Sequence, residues 1–459
     1  MSDLSKNPFV DGPLPVIFAR TALPVILVMG MNGLMTVVDA LFLGHYVGAA
    51  ALGAVTLMFP LYMLIVALAT LVATGMASPL ARHLGAHRYT DARRVYASAH
   101  WLAITTGAAL VLAYVLLGGP LVKLIAGGSE PLVSMGETYL QILVIFSPVM
   151  FVLSVNTDAL RSEGRVGFMA AASLLVSLGN IGFDYLLIAV FDLGVAGSAY
   201  GTVLAQAVAL ALVTRYRSRV GTVLHPLAAL RRVNLSGWGG LLALGAPQSL
   251  NFVGVALVSS AVLVALQWVG TPDYETTVTA YGIVTRSLTF AILPVLGLAQ
   301  AMQTIIGNNL GAGNERRVRG SLIFAVGVAL LFCAAVQGIA TLFAGGIGAM
   351  FVSDARVIAE VAAIMPVMVT LYVLSGPLVM VASHFQAVGD APRAALLGLS
   401  KPYLFALPLT FALPGLFGAT AIWWAGPAAE GMLALLTAAV LFQAARGPKT
   451  LREIKEIQA

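Results

Sequence analysis

The sequence predicts an all-α membrane protein: twelve transmembrane helices in two six-helix lobes related by a pseudo-two-fold axis along the membrane normal. Three observations carry this. Of the 459 residues, 59% are hydrophobic and 10% charged, where a soluble domain carries about 25% charged residues. The apolar residues gather into twelve stretches, each long enough to cross a bilayer. The second half of the chain then repeats the marks of the first.

The twelve stretches run at approximately 14–44, 51–81, 95–118, 132–158, 167–190, 195–214, 238–269, 277–310, 320–343, 356–388, 395–413 and 417–445. Several exceed the ~20 residues that a span needs, so tilt, bending or extension past the bilayer is expected. Pro24, Pro60, Pro148, Pro294 and Pro377 fall inside spans, where neighbouring helices tolerate a kink. The leading tail, MSDLSKNPFVDGPLP, is polar and runs straight into a span, without the pattern of a cleavable signal. Cys333 is the single cysteine, which excludes an internal disulfide. The net charge of +6 resides mostly in short loops and gives no reason to expect nucleic acid as a partner.

Basic residues set the expected orientation. The N-terminal tail, every even-numbered loop and the C-terminal tail hold 22 of the 25 lysines and arginines, from Lys6 and Arg20 to Arg452 and Lys455. Lys401 and the pairs Arg161/Arg165 and Arg217/Arg219 count on that side. Lys123 and Arg356 lie on the other, and Arg286 within a span. The positive-inside rule then puts both termini in the cytoplasm, as an even span count requires.

The repeat is read from motif pairs. ARHLGAHRYTDARRV matches IGNNLGAGNERRVRG, ALRSEGRVGFMAAA matches HFQAVGDAPRAALL, and GVAGSAYG matches GLFGATAI. Six spans in each half make the repeats parallel. The expected units are 1–214, a cytoplasmic linker at 215–236, and 237–459. HPLAALRRVNLSGW in the linker reads either as a short interfacial helix or as plain linker.

Charge inside the spans points to chemistry. SLGNIGFD, residues 177–184, places Asn180 and Asp184 on one helical face, with Ser177 a turn earlier. Asp39 is the other carboxylate well inside the first half's spans. Each costs roughly 2.5–3.5 kcal/mol on insertion scales, so a functional role is favoured over a neutral packed carboxyl. Asn156 and Asn180 read as site residues or as interhelical glue. Thr202 reads as a site residue or as bonded to its own helix. Tyr139 fits an interfacial anchor. Met29, Met31, Met35, Met58 and Met63 crowd spans one and two, as at an adaptable binding surface or in ordinary packing. Glu137, Asp158, Asp354 and Glu360 lie near span ends and are expected to be solvated, while Glu430 and Arg286 have no assigned role. HExxH, GxSxG and GxxxxGK are absent, and no Cys/His cluster suits zinc. An enzyme is not expected, nor is a cofactor.

With these marks the chain resembles the multidrug and toxic compound extrusion (MATE) transporters over nearly its whole length. The paired LGA motifs, FQAVGDAPRA after span ten, and the set Asp39, Asn156, Asn180, Asp184 and Thr202 carry the likeness. The resemblance implies two lobes around a cavity and export of small lipophilic organic cations against proton or sodium entry. It makes Tyr139 a candidate contact of the coupling site and Asn156 a cavity candidate, while Met29, Met31, Met35 and Met63 are cavity candidates on the adaptability of their side chains. One branch of that family places coupling carboxylates in the second lobe, where this chain has Val255 and Ser375. The chain therefore resembles the DinF-like branch, with its site in the first lobe.

The repeat agrees, because Asp39, Asn156, Asn180, Asp184 and Thr202 map onto Val262, Val381, Phe405, Leu409 and Trp423. The expected mechanism is ion-coupled antiport by alternating access in the plasma membrane by a monomer, with span one bending at Pro24. Protons are the expected coupling ion. Asp39, Asn180, Asp184 and Thr202 also offer four oxygens to a sodium ion, a hard cation. A flippase for a lipid-linked precursor is the alternative. It requires a basic cavity, for which Arg286 is the one available base.

Overall fold

The computed structural model describes residues 7–125, 130–220, 222–231, 234–270 and 273–446. Lys6, Arg232, Lys449, Arg452 and Lys455, used above for orientation, lie outside them. The described residues are helical almost throughout, because only helices satisfy every backbone group of a lipid-embedded segment internally. In order these are α1 (Leu14–Phe42), α2 (Ala49–Gly85), α3 (Tyr89–Ile125), α4 (Glu130–Ile145), α5 (Ser147–Ser162), α6 (Val166–Asp184), α7 (Gly194–Arg219) and α8 (Pro226–Arg231). The second repeat supplies α9 (Trp238–Trp268), α10 (Tyr274–Gly311), α11 (Glu315–Leu342), α12 (Ala344–Phe351), α13 (Ala355–Met368), α14 (Tyr372–Val388), α15 (Ala391–Leu399), α16 (Leu407–Phe417) and α17 (Ala425–Arg446). π-helical turns extend α1 (Leu43–Val47) and α6 (Tyr185–Val190) and join α15 to α16 (Ser400–Ala406).

Ten helices are long and apolar enough to cross a membrane, and twelve spans result if each of two bent pairs is one span. Both bends have local causes. α4 meets α5 at 48° beside Pro148, whose ring disfavours helix at the residue before it. α13 meets α14 at 49°, where the α11 side chain of Gln337 takes over the exposed backbone. Its Nε2 donates to the Thr370 carbonyl and its Oε1 accepts from Val373 N, both at 2.8 Å. α1, by contrast, runs helical through Pro24. The linker contains the six-residue helix α8.

The chain packs as two compact units. The first comprises Met1–Ala256, Ser287–Ala325 and Ser383–Pro392, and the second Leu257–Arg286, Val326–Ala382 and Arg393–Ala459. This division does not follow the expected cut at 215–236. The reason is a seam, inside the first unit, between the two repeats' LGA ends. A Cβ on Gly85 would fall on the Asn308 carbonyl, and one on Gly311 on the Arg82 carbonyl. Gly85 and Gly311 are equivalent residues of the two LGA motifs, and Arg82 and Asn308 are equivalent to each other, so the contact is reciprocal. Gly75 and Gly245 abut the carbonyls of Leu241 and Leu71 in the same way. Small residues let helix backbones approach this closely. Polar bonds close the seam: Ser78 Oγ donates to the Gln386 carbonyl at 2.7 Å, and Arg82 to the Val388 carbonyl at 2.7 Å. Gly389, at φ +93°, has Arg82 where a Cβ would stand.

Several charges expected in solvated loops are packed. Arg217 is fully buried and pairs with Glu163 at 3.0 Å; Arg161 is buried and pairs with Asp158 at 3.1 Å. Lys401 lies not in a loop but within the span Ala391–Phe417, paired with the buried Glu430 of α17. Asp158 and Glu360 are half-buried rather than solvated, whereas Asp354 is exposed and caps α13 by accepting from Arg356 N at 2.9 Å. That bond holds its carboxyl below the usual range.

Candidate functional site

Two helices bring the first repeat's carboxyls together. Asp39 is near the end of α1 and Asp184 closes α6, and α1 packs along α6. The Asp39 and Asp184 side chains face each other. Asp184 is fully buried, and its Oδ2 has no hydrogen-bond partner among the described residues. Its Oδ1 accepts from Asn180 Nδ2 at 3.2 Å, the bond expected of two residues one turn apart.

α7 completes the site, and the sequence shows how it comes so close. A Cβ on Gly201 would collide with Asp184 Oδ1, so glycine there lets α7 lie on α6. The next residue, Thr202, takes a second hydrogen bond from Asn180 Nδ2, also at 3.2 Å. One turn earlier, Ser198 Oγ donates to Asp39 Oδ1 at 3.2 Å. Tyr62 of α2 and Tyr139 of α4 lie within electrostatic reach of Asp39. Ser177 bonds to Asn32 of α1 at 3.3 Å, a turn further along the same helix pair.

The structure thus brings together Asp39, Asn180, Asp184, Thr202 and Tyr139. Ser198, Gly201 and Tyr62 were not singled out from sequence. GVAGSAYG was used there only as a repeat mark, and a tyrosine in a span carries no distinguishing signal.

Asn156 is not brought to the aspartates. Its Oδ1 accepts from Tyr96 OH at 2.6 Å, its Nδ2 faces His100 Nε2 at 3.0 Å and donates to the Val152 carbonyl at 2.8 Å. Arg217 donates to the Asn156 carbonyl at 3.2 Å and stacks over Tyr96 at 5.4 Å. Asn156 therefore belongs to a buried network that ties α3, α5 and α7 to the linker. Of the methionines, Met58 is core against Gly136, Met35 is buried one turn before Asp39, and Met29, Met31 and Met63 are half-buried. The repeat-related positions in the second half are apolar: Val262 and Val381 are buried, as is Trp423, in place of Thr202.

The MatE family model matches residues 24–186 and 251–411, one stretch for each repeat. The chain belongs to the MatE family. This MatE protein is a multi-pass membrane transporter, not an enzyme. It is 22% identical over 449 residues to the multidrug export protein MepA of Staphylococcus aureus (strain bovine RF122 / ET3-1), with 96% of each chain covered. Its fold is similar to a solved structure described as the outward-facing conformation of a multidrug resistance MATE family transporter of the MOP superfamily. The TM-score is 0.87 at 21% identity, covering 97% of this chain and 100% of that one. It is also similar to MATE in the bent conformation, with a TM-score of 0.86 at 21% identity, covering 99% of each.

Proposed function

We propose that this transporter is a cation-coupled antiporter of the DinF-like branch that exports small lipophilic organic cations. It works by alternating access in the plasma membrane, with both termini cytoplasmic. The relatives that bear the name multidrug export protein support the substrate class. The observation that carries the coupling reading is the meeting of Asp39 and Asp184. Two carboxyl groups that face each other in a buried site share one proton more easily than they both ionise, which supports the pair as a proton-binding site. Carboxylates facing each other in a low dielectric repel once that proton leaves.

The steps follow from this. Protonation from the outer side lets Asp39 stay against Asp184, which holds α1 on α6. Loss of the proton separates two like charges and drives α1 away from α6. Pro24 lowers the cost of a second shape for α1, since its missing N–H leaves one helix bond already unmade. Substrate affinity then alternates with the charge of the pair, because a site bearing carboxylates attracts cations only while they are ionised. Asn180, Thr202 and Ser198 hold the two carboxyls in register throughout.

Protons are favoured over sodium by the Asn180 amide. It turns its NH2 toward both Asp184 and Thr202, whereas a sodium cage needs the carbonyl oxygen there. The test is efflux of a fluorescent organic cation from vesicles under separate proton and sodium gradients. Protons alone are expected to drive it; efflux indifferent to both gradients would contradict antiport. A flippase for a lipid phosphate has less support, since Arg286, the base it would use, is exposed on α10.

A further inference from the structure

The second repeat contains a cavity that the coupling account leaves unused. It has a volume of about 530 Å³ and lies between α13, α16 and the turn before α17, all within the second unit. Its walls include Glu360, Ile364, Leu413, Phe417, Trp423 and Trp424. The repeat relates this place to the coupling site: Trp423 stands where the first half has Thr202. By the offset that carries Asn156 to Val381, Ile364 stands where it has Tyr139. The spans that carry Tyr139 and Thr202 beside the aspartates in one repeat carry walls of an aromatic cavity in the other.

The geometry points to a binding site for an organic cation, with Glu360 supplying the charge and Trp423, Trp424 and Phe417 the aromatic faces. Cations prefer the negative face of an aromatic ring, tryptophan most, and cages of this kind are the usual recognition of quaternary ammonium groups. Trp423 is buried and fixed against Tyr281, with ring centroids 5.8 Å apart, so it is not a freely projecting interfacial anchor. Trp424 and Phe417 are exposed at the rim.

Glu360 accepts a hydrogen bond from Thr277 Oγ1 at 3.4 Å, and among the described residues no cation pairs with it. The arginine one turn earlier, Arg356, is directed instead to Asp354 at 3.5 Å and Asp273 at 4.0 Å. A half-buried carboxylate beside three aromatic rings and without a counter-ion matches a soft, poorly hydrated cation better than a metal ion, which would require several oxygens. In the expected topology the loops that bound the cavity, before α13 and before α17, are odd-numbered ones opposite the basic loops, which fits a station for the cation on the outer side. The inference rests on the cation-export reading.

The test is equilibrium binding, which does not depend on transport. Tetraphenylphosphonium is titrated calorimetrically into the full-length Asp39→Asn/Asp184→Asn protein, with the coupling pair neutral. Binding is expected to persist and to weaken about tenfold on adding Glu360→Gln or Trp423→Leu, while Trp423→Phe retains most of it. The neutral analogue triphenylphosphine oxide is expected to bind indifferently to Glu360→Gln. Unchanged tetraphenylphosphonium affinity in Glu360→Gln, which is isosteric and decides the matter alone if Trp423→Leu does not fold, overturns the site. Failure of the coupling reading would appear elsewhere, as gradient-driven transport by the aspartate variants.

Discussion

Gly85 of α2 lies directly on the backbone of Asn308 in α10, with Gly311 on Arg82 as the reciprocal contact. A side chain at Gly85 cannot be accommodated without separating the two repeats at this end. Gly85→Leu is therefore expected to open the seam and to slow efflux. A Cys333→Ala/Ser78→Cys protein reports the opening, because Ser78 is buried against the Gln386 and Ala387 carbonyls. Its labelling by a membrane-impermeant thiol reagent should rise several-fold with Gly85→Leu; unaltered labelling would mean that the seam does not close this face.

The Arg217 network is a matter of stability. Arg217→Met leaves Glu163 buried without its partner, which costs about 3–5 kcal/mol. Asn156→Val strands Tyr96 and His100 and costs about 1–3 kcal/mol. Thermal melts of purified protein should show both losses. Vesicles should still show efflux of Asn156→Val responding to the ion gradient at a normal concentration of folded protein. An Asn156→Val protein of wild-type stability that fails to couple would return Asn156 to the site.

Lys401 and Glu430 form the second unit's membrane ion pair, with Glu430 buried and Lys401 partly exposed. Glu430→Gln is expected to lower the melting temperature and leave gradient-driven efflux intact. The double variant Lys401→Met/Glu430→Leu should recover part of the loss, since apolar replacement removes the desolvation of both ions. Normal stability with lost coupling in Glu430→Gln would move the coupling site to the second repeat.

Thr202 separates the two ions. Its hydroxyl accepts from Asn180 and contributes an oxygen that a sodium ion needs and a proton does not. Thr202→Val should keep most pH-driven efflux, with sodium inert in both proteins. Sodium-driven efflux in the wild type that Thr202→Val abolishes would replace the proton with sodium.

Spans and repeats were legible because lipid imposes long apolar runs, and because LGA recurs and ALRSEGRVGF has its counterpart in HFQAVGDAPR at the same place in the second half. Asp39 and Asp184 were legible because a carboxylate in such a run has few reasons to be there. What the sequence does not display is facing. Asn156 and Asn180 look alike in an apolar run, yet one bonds to Tyr96 and the other to Asp184. Lys401 reads as a loop base until the π-helical turn places it beside Glu430. Gly201 is one glycine among 47, and only the packing shows that α7 needs it against Asp184.

In the proposed reading, a proton held between Asp39 and Asp184 couples to export. The direct measurement is efflux of a fluorescent organic cation from vesicles under an imposed pH gradient, with Asp39→Asn and Asp184→Asn compared with wild type at equal amounts of folded protein. Both variants are expected to lose gradient-driven efflux while remaining folded. Wild-type rates against a concentration gradient in both would contradict the account.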